Sequence, residues 1–137
     1  MTGFVLDASV TCAWVFADEA TPPIDQLLDQ TIAGGVIVPP LWRSEVLNTL
    51  IQASRRDRIT VTQINNLWNQ LERLPITETT HRPEAAIIVN LSLKHNLTAY
   101  DACYLELALW QHLPLATLDQ ALITAATATG TPLLGQG

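Results

Sequence analysis

Four acidic residues occupy the positions in this chain that are best suited to chemistry. Asp7 and Asp119 each come directly after a short apolar run of the kind that forms a buried strand. Glu45 lies one turn into the helix predicted after another such run, and Asp101 lies at the start of a predicted helix. Because the carboxyl ends of parallel strands share one edge of a sheet, and helices begin beside that edge, we expect the four carboxylates to meet there.

Such a cluster of acids points to a cation. Two carboxylates about 4 Å apart repel by roughly 4 kcal/mol at an effective dielectric constant near 20, so four would not stay ionised together unaided. Asn48 lies three residues after Glu45, on the same face of its helix. Oxygen ligands of this kind suit Mg²⁺ or Mn²⁺ and not zinc. A metal there would polarise a phosphate and acidify a bound water, which is the chemistry of phosphodiester hydrolysis.

Each acid also has a purely local explanation. Asp7 or Asp119 could cap the helix that follows it. Asp101 follows Thr98 at the spacing of a capping box. Glu45 could be a first-turn acid stabilised by the helix dipole. Any one of these explanations is at least as good as a metal site, and only the convergence of all four acids favours the cation.

Strands and helices alternate along the chain, which predicts an α/β fold with a mainly parallel sheet of four to five strands. We expect one domain covering residues 1–137. The pattern predicts strands at 4–6, 36–38, 115–118 and 132–134, a strand or a mere connection at 76–79, and helices at 10–16, 24–32, 40–56, 62–73, 84–95, 98–111 and 120–129.

The composition narrows the class of protein. Apolar residues make up 48% of the chain, yet no stretch is predicted to span a membrane or to act as a signal peptide. Two cysteines without metal-binding spacing suggest free thiols and a cytoplasmic location. The chain has 13 acidic and 7 basic residues. Because nucleic-acid binding relies on neutralising phosphates, a nuclease of this composition needs positive charge from a metal, a partner or a second copy.

Four segments in order resemble the motifs of the PIN-domain family, and within it the VapC-like toxins of VapBC toxin–antitoxin systems. The first is Val-Leu-Asp-Ala-Ser, and the second is a proline-led helix with a Glu-x-x-Asn core. The third has an Asp-x-x-Tyr-x-x-Leu-Ala pattern, and the fourth is Thr-x-Asp. These segments are residues 5–9, 40–48, 98–108 and 116–119.

This resemblance implies a Rossmann-like, three-layer α/β/α PIN domain. It also implies an Mg²⁺- or Mn²⁺-dependent endoribonuclease that leaves 5′-phosphate and 3′-hydroxyl ends, forms a homodimer and is inhibited by a cognate VapB-like antitoxin. RNA would be the substrate. By position, the metal-binding acids would be Asp7, Glu45, Asp101 and Asp119, the accessory hydroxyls Ser9 and Thr117, and the further matched positions Asn48 and Tyr104.

Two other functions remain open. One is a non-catalytic, PIN-like binding module that acts through a protein partner. The other is a phosphatase or phosphoacceptor domain, which also places an aspartate at a strand end. That class would favour a second aspartate at position 9, where this chain has Ser9, or a lysine after a late strand, and no lysine follows Lys94.

Several other residues have two explanations each. The arginines at 55, 56 and 58 could contact RNA phosphates or complement the C-terminus of their helix. The four tryptophans are expected in the core or at an interface, and the apolar positions of helix 62–73 are candidate contacts with an antitoxin or a second copy. No histidine has the paired spacing of a metal site. The residues concerned are Arg55, Arg56, Arg58, Trp14, Trp42, Trp68, Trp110, Ile64, Leu71, His81, His95 and His112.

Overall fold

The structure, a computed structural model, describes residues 3–136 as a five-stranded, all-parallel sheet flanked by helices, which confirms the predicted α/β class. Met1, Thr2 and Gly137 belong to the predicted domain but lie outside the described residues. The strands are β1 (Val5–Leu6), β2 (Val36–Val38), β3 (Ile76–Glu78), β4 (Leu115–Ala116) and β5 (Leu133–Leu134). The helices are α1 (Ala8–Val15), α2 (Pro22–Gly34), α3 (Leu41–Arg55), α4 (Val61–Glu72), α5 (Ala85–His95), α6 (Ala99–Gln111) and α7 (Gln120–Thr129), with a 3₁₀ turn at Ala17–Glu19.

The order of the strands, β3-β2-β1-β4-β5, creates one reversal point in the sheet. From β1 the chain moves outward in one direction to β2 and β3, and then returns past β1 to β4 and β5. Right-handed crossovers therefore place α1–α4 on one face and α5–α7 on the other. The packing agrees, since α1 and α3 contact each other and α6 contacts α5 and α7. A crevice is expected between β1 and β4, where the direction reverses.

Burial explains why the central strands β1, β2 and β4 are continuously apolar. Val5, Leu6 and Leu115 are fully buried, as expected for strands covered by helices on both faces. Helix α6 lies against β1, and six of its thirteen residues are buried. Helix α5 packs outside it and has no buried residue. Within residues 3–136, none of the helices combines the length and apolar character needed to cross a membrane.

The structure differs from the predicted elements at a few points. The strand predicted at 115–118 ends at Ala116, because Thr117 turns its hydroxyl toward Asp7. The connection at 76–79 does form a strand, paired in parallel with β2. The 3₁₀ turn at Ala17–Glu19 was not predicted. Asn96 caps α5 in the left-handed conformation, with φ of 54°.

Helix α4 turns its apolar side inward. Leu71 is buried, and Ile64 and Trp68 pack against the core, with the Trp68 ring 5.9 Å from that of Trp42. The expectation that these α4 residues contact an antitoxin or a second copy is therefore wrong for Leu71, whose side chain this chain's own core already covers.

A buried hydrogen bond ties the two helices that begin beside the reversal point. The indole Nε1 of Trp42, in α3, donates to the hydroxyl of Thr11, in α1, at 3.0 Å. Both side chains are buried. This bond fixes the helix that follows Asp7 against the helix that carries Glu45.

Replacing Thr11 by valine should lower the free energy of unfolding by about 1–3 kcal/mol. Valine keeps the shape of threonine but leaves the buried indole N–H of Trp42 without an acceptor, which costs roughly that amount. Urea denaturation measures the change. Thr11→Ser is the matched control, because it keeps the hydroxyl. Equal stability of the valine variant and wild type would show that this bond does not hold the helices together.

Candidate active site

The four predicted acids line one open cleft at the reversal point of the sheet. Asp7 follows β1 and Asp119 follows β4, so these two flank the point itself. Glu45 comes from α3 on one face of the sheet, and Asp101 comes from α6 on the other. The cleft has a volume of about 480 Å³ and is lined by Asp7, Ala8, Ser9, Cys12, Glu19, Glu45, Asn48, Thr49, Asp101, Leu118 and Asp119.

Asp7 is the most constrained of the acids. Its side chain is buried, and its Oδ2 accepts hydrogen bonds from the hydroxyls of Ser9, at 2.6 Å, and Thr117, at 2.7 Å. It stands at the N-cap position of α1 but makes no capping hydrogen bond with its side chain. Burial raises the pKa of Asp7, and the two hydroxyls partly offset that rise. The carboxylate thus lines the cleft and does not cap the helix.

The same two hydroxyls hold the end of the neighbouring strand. The Ser9 hydroxyl accepts a hydrogen bond from the backbone N–H of Leu118, at 3.0 Å. The Thr117 hydroxyl accepts one from the backbone N–H of Asp119, also at 3.0 Å. Each hydroxyl therefore links the end of β1 to the end of β4. Ser9 and Thr117 thus fix the spacing between Asp7 and Asp119.

Glu45 is held by a tyrosine whose role the sequence left open. The hydroxyl of Tyr104, in α6, donates to Oε1 of Glu45 at 2.6 Å. Tyr104 is fully buried, and burial together with this bond raises its pKa, so the phenol stays a protonated donor. Burial also raises the pKa of Glu45, while the bond from Tyr104 lowers it. The bond connects helices on opposite faces of the sheet.

Asp101 is the acid whose pKa is most affected by the other carboxylates. Its backbone N–H donates to the Thr98 hydroxyl at 3.1 Å, so Thr98 caps α6 as expected. Burial raises the pKa of Asp101 to about 6, and repulsion from Asp119, Asp7 and Glu45 contributes to that rise. The carboxylates are therefore close enough to resist being ionised together.

Asp119 combines both of the explanations that its position allowed. One carboxylate oxygen, Oδ1, accepts the backbone N–H of Ala121 at 2.9 Å and so caps α7. The side chain nevertheless lines the cleft. Helix capping and a place in the acid cluster are thus compatible at this residue.

The donor set of the cleft suits a hard divalent cation. Carboxylates, the Asn48 amide and hydroxyls supply oxygen ligands of the type that Mg²⁺ and Mn²⁺ prefer. Among residues 3–136, no three His, Cys, Asp or Glu side chains are already grouped closely enough to hold a metal ion. Burial raises the pKa of Cys12 to about 11, so its thiol stays neutral at the wall.

A fifth acid, Glu19, lines the cleft and was missed by the sequence analysis. It belongs to the unpredicted 3₁₀ turn after α1 and is exposed. The sequence offers one weak signal, the pair Asp18-Glu19 between two helices. A short polar run gives no indication of the direction in which it faces, so this residue could not have been assigned to the cleft.

Other candidate residues lie elsewhere. Arg43 does not line the cleft, and its guanidinium lies 4.9 Å from the centre of the Trp68 ring. His81 shares its Nε2 between the two oxygens of Glu106, at 3.0 and 2.9 Å, and stacks on Trp110 at 3.7 Å. These contacts anchor the segment before α5 and leave His81 outside the cleft.

Comparison with known proteins agrees with this architecture. The model of the PIN domain family matches residues 4–127. The crystal structure of PAE2754 from Pyrobaculum aerophilum is similar, with a TM-score of 0.65 and 20% identity over 90% of this chain and 84% of that one. The crystal structure of FitAcB from Neisseria gonorrhoeae has a TM-score of 0.67 and 18% identity over 96% of each chain. No curated protein sequence matches the chain.

Replacing Asp101 by asparagine should raise the melting temperature in EDTA near neutral pH and change it little near about pH 4. The folded-state pKa of Asp101, about 6, lies above its ordinary value of 3.8. Protonation of Asp101 therefore stabilises the folded state. This contribution is fully present below pH 3.8 and is lost as the pH rises through about 6. Asparagine does not ionise and avoids this loss. Differential scanning fluorimetry across this pH range measures the difference.

Asp29→Asn, at an exposed acid in α2 outside the cleft, is the control. Its difference from wild type should not follow the same pH course. A constant difference between Asp101→Asn and wild type at all pH values would contradict the repulsion among the cleft acids.

Proposed function

The chain belongs to the PIN domain family, and we propose that it is an Mg²⁺- or Mn²⁺-dependent endoribonuclease, the toxin component of a toxin–antitoxin system. PIN domains are generally nucleases and typically bind divalent metal ions. The finer assignment is supported by the resemblance of the four sequence motifs to those of VapC-like toxins. The observation that carries the nuclease activity is the buried Asp7 carboxylate, held by two hydroxyls beside three further acids.

The proposed ligands divide into two kinds by how they are held. Asp7 and Glu45 have fixed orientations, because Ser9 and Thr117 hold the first and Tyr104 holds the second. Asp101 and Asp119 come from the first turns of α6 and α7, and complete the oxygen-rich wall. When bound to these residues, Mg²⁺ or Mn²⁺ supplies polarisation of the phosphate and acidification of water.

The protein's own residues then account for the positioning that such hydrolysis requires. Ser9 and Thr117 occupy one carboxylate oxygen of Asp7, so its ligand direction is set before substrate arrives. Tyr104 does the same for Glu45 from the opposite face of the sheet. The cleft is open, so a single strand can reach the acids without being flipped or threaded. Water attacks the scissile phosphate in line and releases the 3′-oxygen.

An acidic cleft also suits the proposed antitoxin partner. The chain carries a formal charge of −6, and the cleft gathers five carboxylates. A cationic side chain from a VapB-like antitoxin would relieve the same repulsion that a metal ion relieves, and would exclude RNA from the acids. Inhibition of the toxin then follows from direct competition at the cleft.

A homodimer is the proposed assembly, and the outer face of α5 supports it. Leu93 is 81% exposed and Val89 is 55% exposed, on a helix that packs only on one side. Apolar side chains exposed on neighbouring turns of one helix form the kind of patch that protein contacts cover. A second copy of the same helix presents a matching apolar surface, as a two-fold interface requires.

Replacing Asp7 by asparagine should abolish RNA cleavage and leave the fold intact. Asparagine has nearly the same shape, and its oxygen can accept the hydroxyls of Ser9 and Thr117. Burial raises the pKa of Asp7, so the substitution removes a charge that the folded state does not favour. Gel analysis of RNA with Mn²⁺ and with EDTA measures cleavage, and circular dichroism checks the fold. The Mn²⁺-induced rise in melting temperature should shrink, since a ligand specific to the native state stabilises it.

Asp29→Asn is again the control and should cleave RNA like wild type. Undiminished, EDTA-sensitive cleavage by Asp7→Asn would remove Asp7 from the proposed chemistry. Wild-type protein that cleaves no RNA and whose melting temperature ignores millimolar Mn²⁺ would overturn the endoribonuclease assignment itself.

Replacing Leu93 by glutamate should convert the dimer to a monomer, measured by light scattering after size-exclusion chromatography. Two buried carboxylates would face each other in the interface, and burying an unpaired charge is costly. Ile32→Glu is the matched control, because Ile32 is 58% exposed on α2, on the other face of the sheet. A dimer that persists in Leu93→Glu would exclude α5 as the interface.

A further inference from the structure

The three arginines at the end of α3 are not equivalent. Arg58 is engaged within the fold, with its guanidinium 3.2 Å from Asp18 and 4.4 Å from the centre of the Phe16 ring. Arg55 and Arg56 are exposed, and no ion pair among residues 3–136 involves either of them. They are the cations at this helix end that the fold itself does not use.

Hydrogen bonding to the helix C-terminus does not explain these two side chains. The last carbonyls of α3 are already paired with backbone N–H groups. The carbonyls of Gln52, Ala53 and Ser54 accept from the backbone N–H groups of residues 56, 58 and 57, at 3.1, 2.9 and 3.0 Å. The guanidinium groups of Arg55 and Arg56 are therefore not needed to satisfy the helix end.

The geometry of α3 aligns Arg56 with the cleft. Eleven residues separate it from Glu45, which at 1.5 Å per residue and 3.6 residues per turn is about 16 Å along the axis and only about 20° around it. Gln52 falls between them on the same side. Arg55 lies about 80° around the axis from Glu45, but within about 20° of Asn48, which also lines the cleft. The buried stripe of the helix, Trp42, Val46, Leu50 and Ala53, faces elsewhere.

The cleft itself extends in this direction. Thr49, one turn beyond Glu45 on α3, lines it together with Glu19 of the 3₁₀ turn. Asp18, the neighbour of Glu19, is the residue that binds Arg58. The end of α3 and the 3₁₀ turn are therefore side by side, and the cleft wall reaches along α3 as far as Thr49, about two turns before Arg56.

We propose that Arg55 and Arg56 bind backbone phosphates of the RNA strand, distant from the phosphate that is cut at the acids. This inference rests on the proposed ribonuclease function. At about 3.4 Å per nucleotide of a stacked strand, 16 Å corresponds to about five nucleotides, and to fewer in an extended strand. Guanidinium groups suit this task because they bind phosphate oxygens in a bidentate fashion. With 7 basic residues against 13 acids, the chain has few other cations to offer.

The test compares Arg55→Gln/Arg56→Gln with a matched arginine variant, Arg73→Gln. Arg73 is also exposed at a helix C-cap, that of α4, but it precedes the amino end of β3 and so lies at the opposite edge of the sheet from the cleft. Binding of a fluorescent single-stranded RNA of about twelve nucleotides is measured in EDTA across a salt series. The double variant should bind roughly tenfold more weakly than Arg73→Gln, and its slope of log affinity against log salt should fall by about 1.4 for two lost phosphate contacts.

Cleavage kinetics provide the second readout. With metal present, kcat/KM for the long RNA should fall in the double variant, while kcat/KM for a trinucleotide, which cannot reach from the acids to α3's end, should stay at the wild-type value. Equal binding and equal kcat/KM for the double variant and Arg73→Gln would overturn the inference while wild-type cleavage keeps the ribonuclease assignment. An equal loss on the trinucleotide would also overturn it, because the defect would then lie at the acids. Failure of wild-type protein to cleave either RNA would instead refute the proposed function.

Discussion

The structure is organised around the repulsion among carboxylates that share one cleft. No pair of neighbouring residues supplies them, because each comes from a different element around the reversal point between β1 and β4. Backbone order alone brings the acids together, and burial and repulsion raise the pKa of Asp101 to about 6 as a result. A site of this kind stores unfavourable electrostatic energy in the folded chain. Repulsion of this kind is relieved when a positive charge lies between the carboxylates.

Hydroxyl groups make this arrangement rigid. Ser9 and Thr117 each donate to Asp7 and each accept from the backbone after β4, so one pair of side chains fixes both strand ends. Tyr104 extends the same principle across the sheet to Glu45. Hydrogen bonds to a charged acceptor are stronger than those between neutral groups, and here they also set direction. The acids are consequently positioned by neutral donors, which add no positive charge that would compete with a cation.

The sequence predicts the part of this arrangement that depends on local pattern. Asp7 and Asp119 could be placed because each directly follows an apolar run, and the ends of parallel strands share an edge. The bond from Tyr104 to Glu45 could not be predicted, because it joins residues 59 positions apart on opposite faces of the sheet. Glu19 was missed for a related reason, since its 3₁₀ turn has no periodicity. What the pattern does not encode is how elements pack against one another.

The exposed apolar surface also could not be predicted from local pattern. Apolar spacing in helix 62–73 suggested a contact face, yet that spacing serves packing onto α3, and Leu71 is buried in the core. Helix α5 has seven apolar residues among eleven, and which of them are exposed depends on how α6 covers one side of the helix. Amphipathic periodicity therefore identifies the side of a helix that is buried. It does not show whether the same chain or another protein covers that side.

The hydrogen bond between Thr117 and Asp7 joins residues 110 positions apart, which has a consequence for synthesis on the ribosome. Asp7 emerges from the ribosome 110 residues before Thr117, its hydroxyl partner, and also before Asp119. Closing so long a loop is among the last contacts that a chain can make. A chain that has not yet been extended past Asp119 therefore lacks the complete cleft.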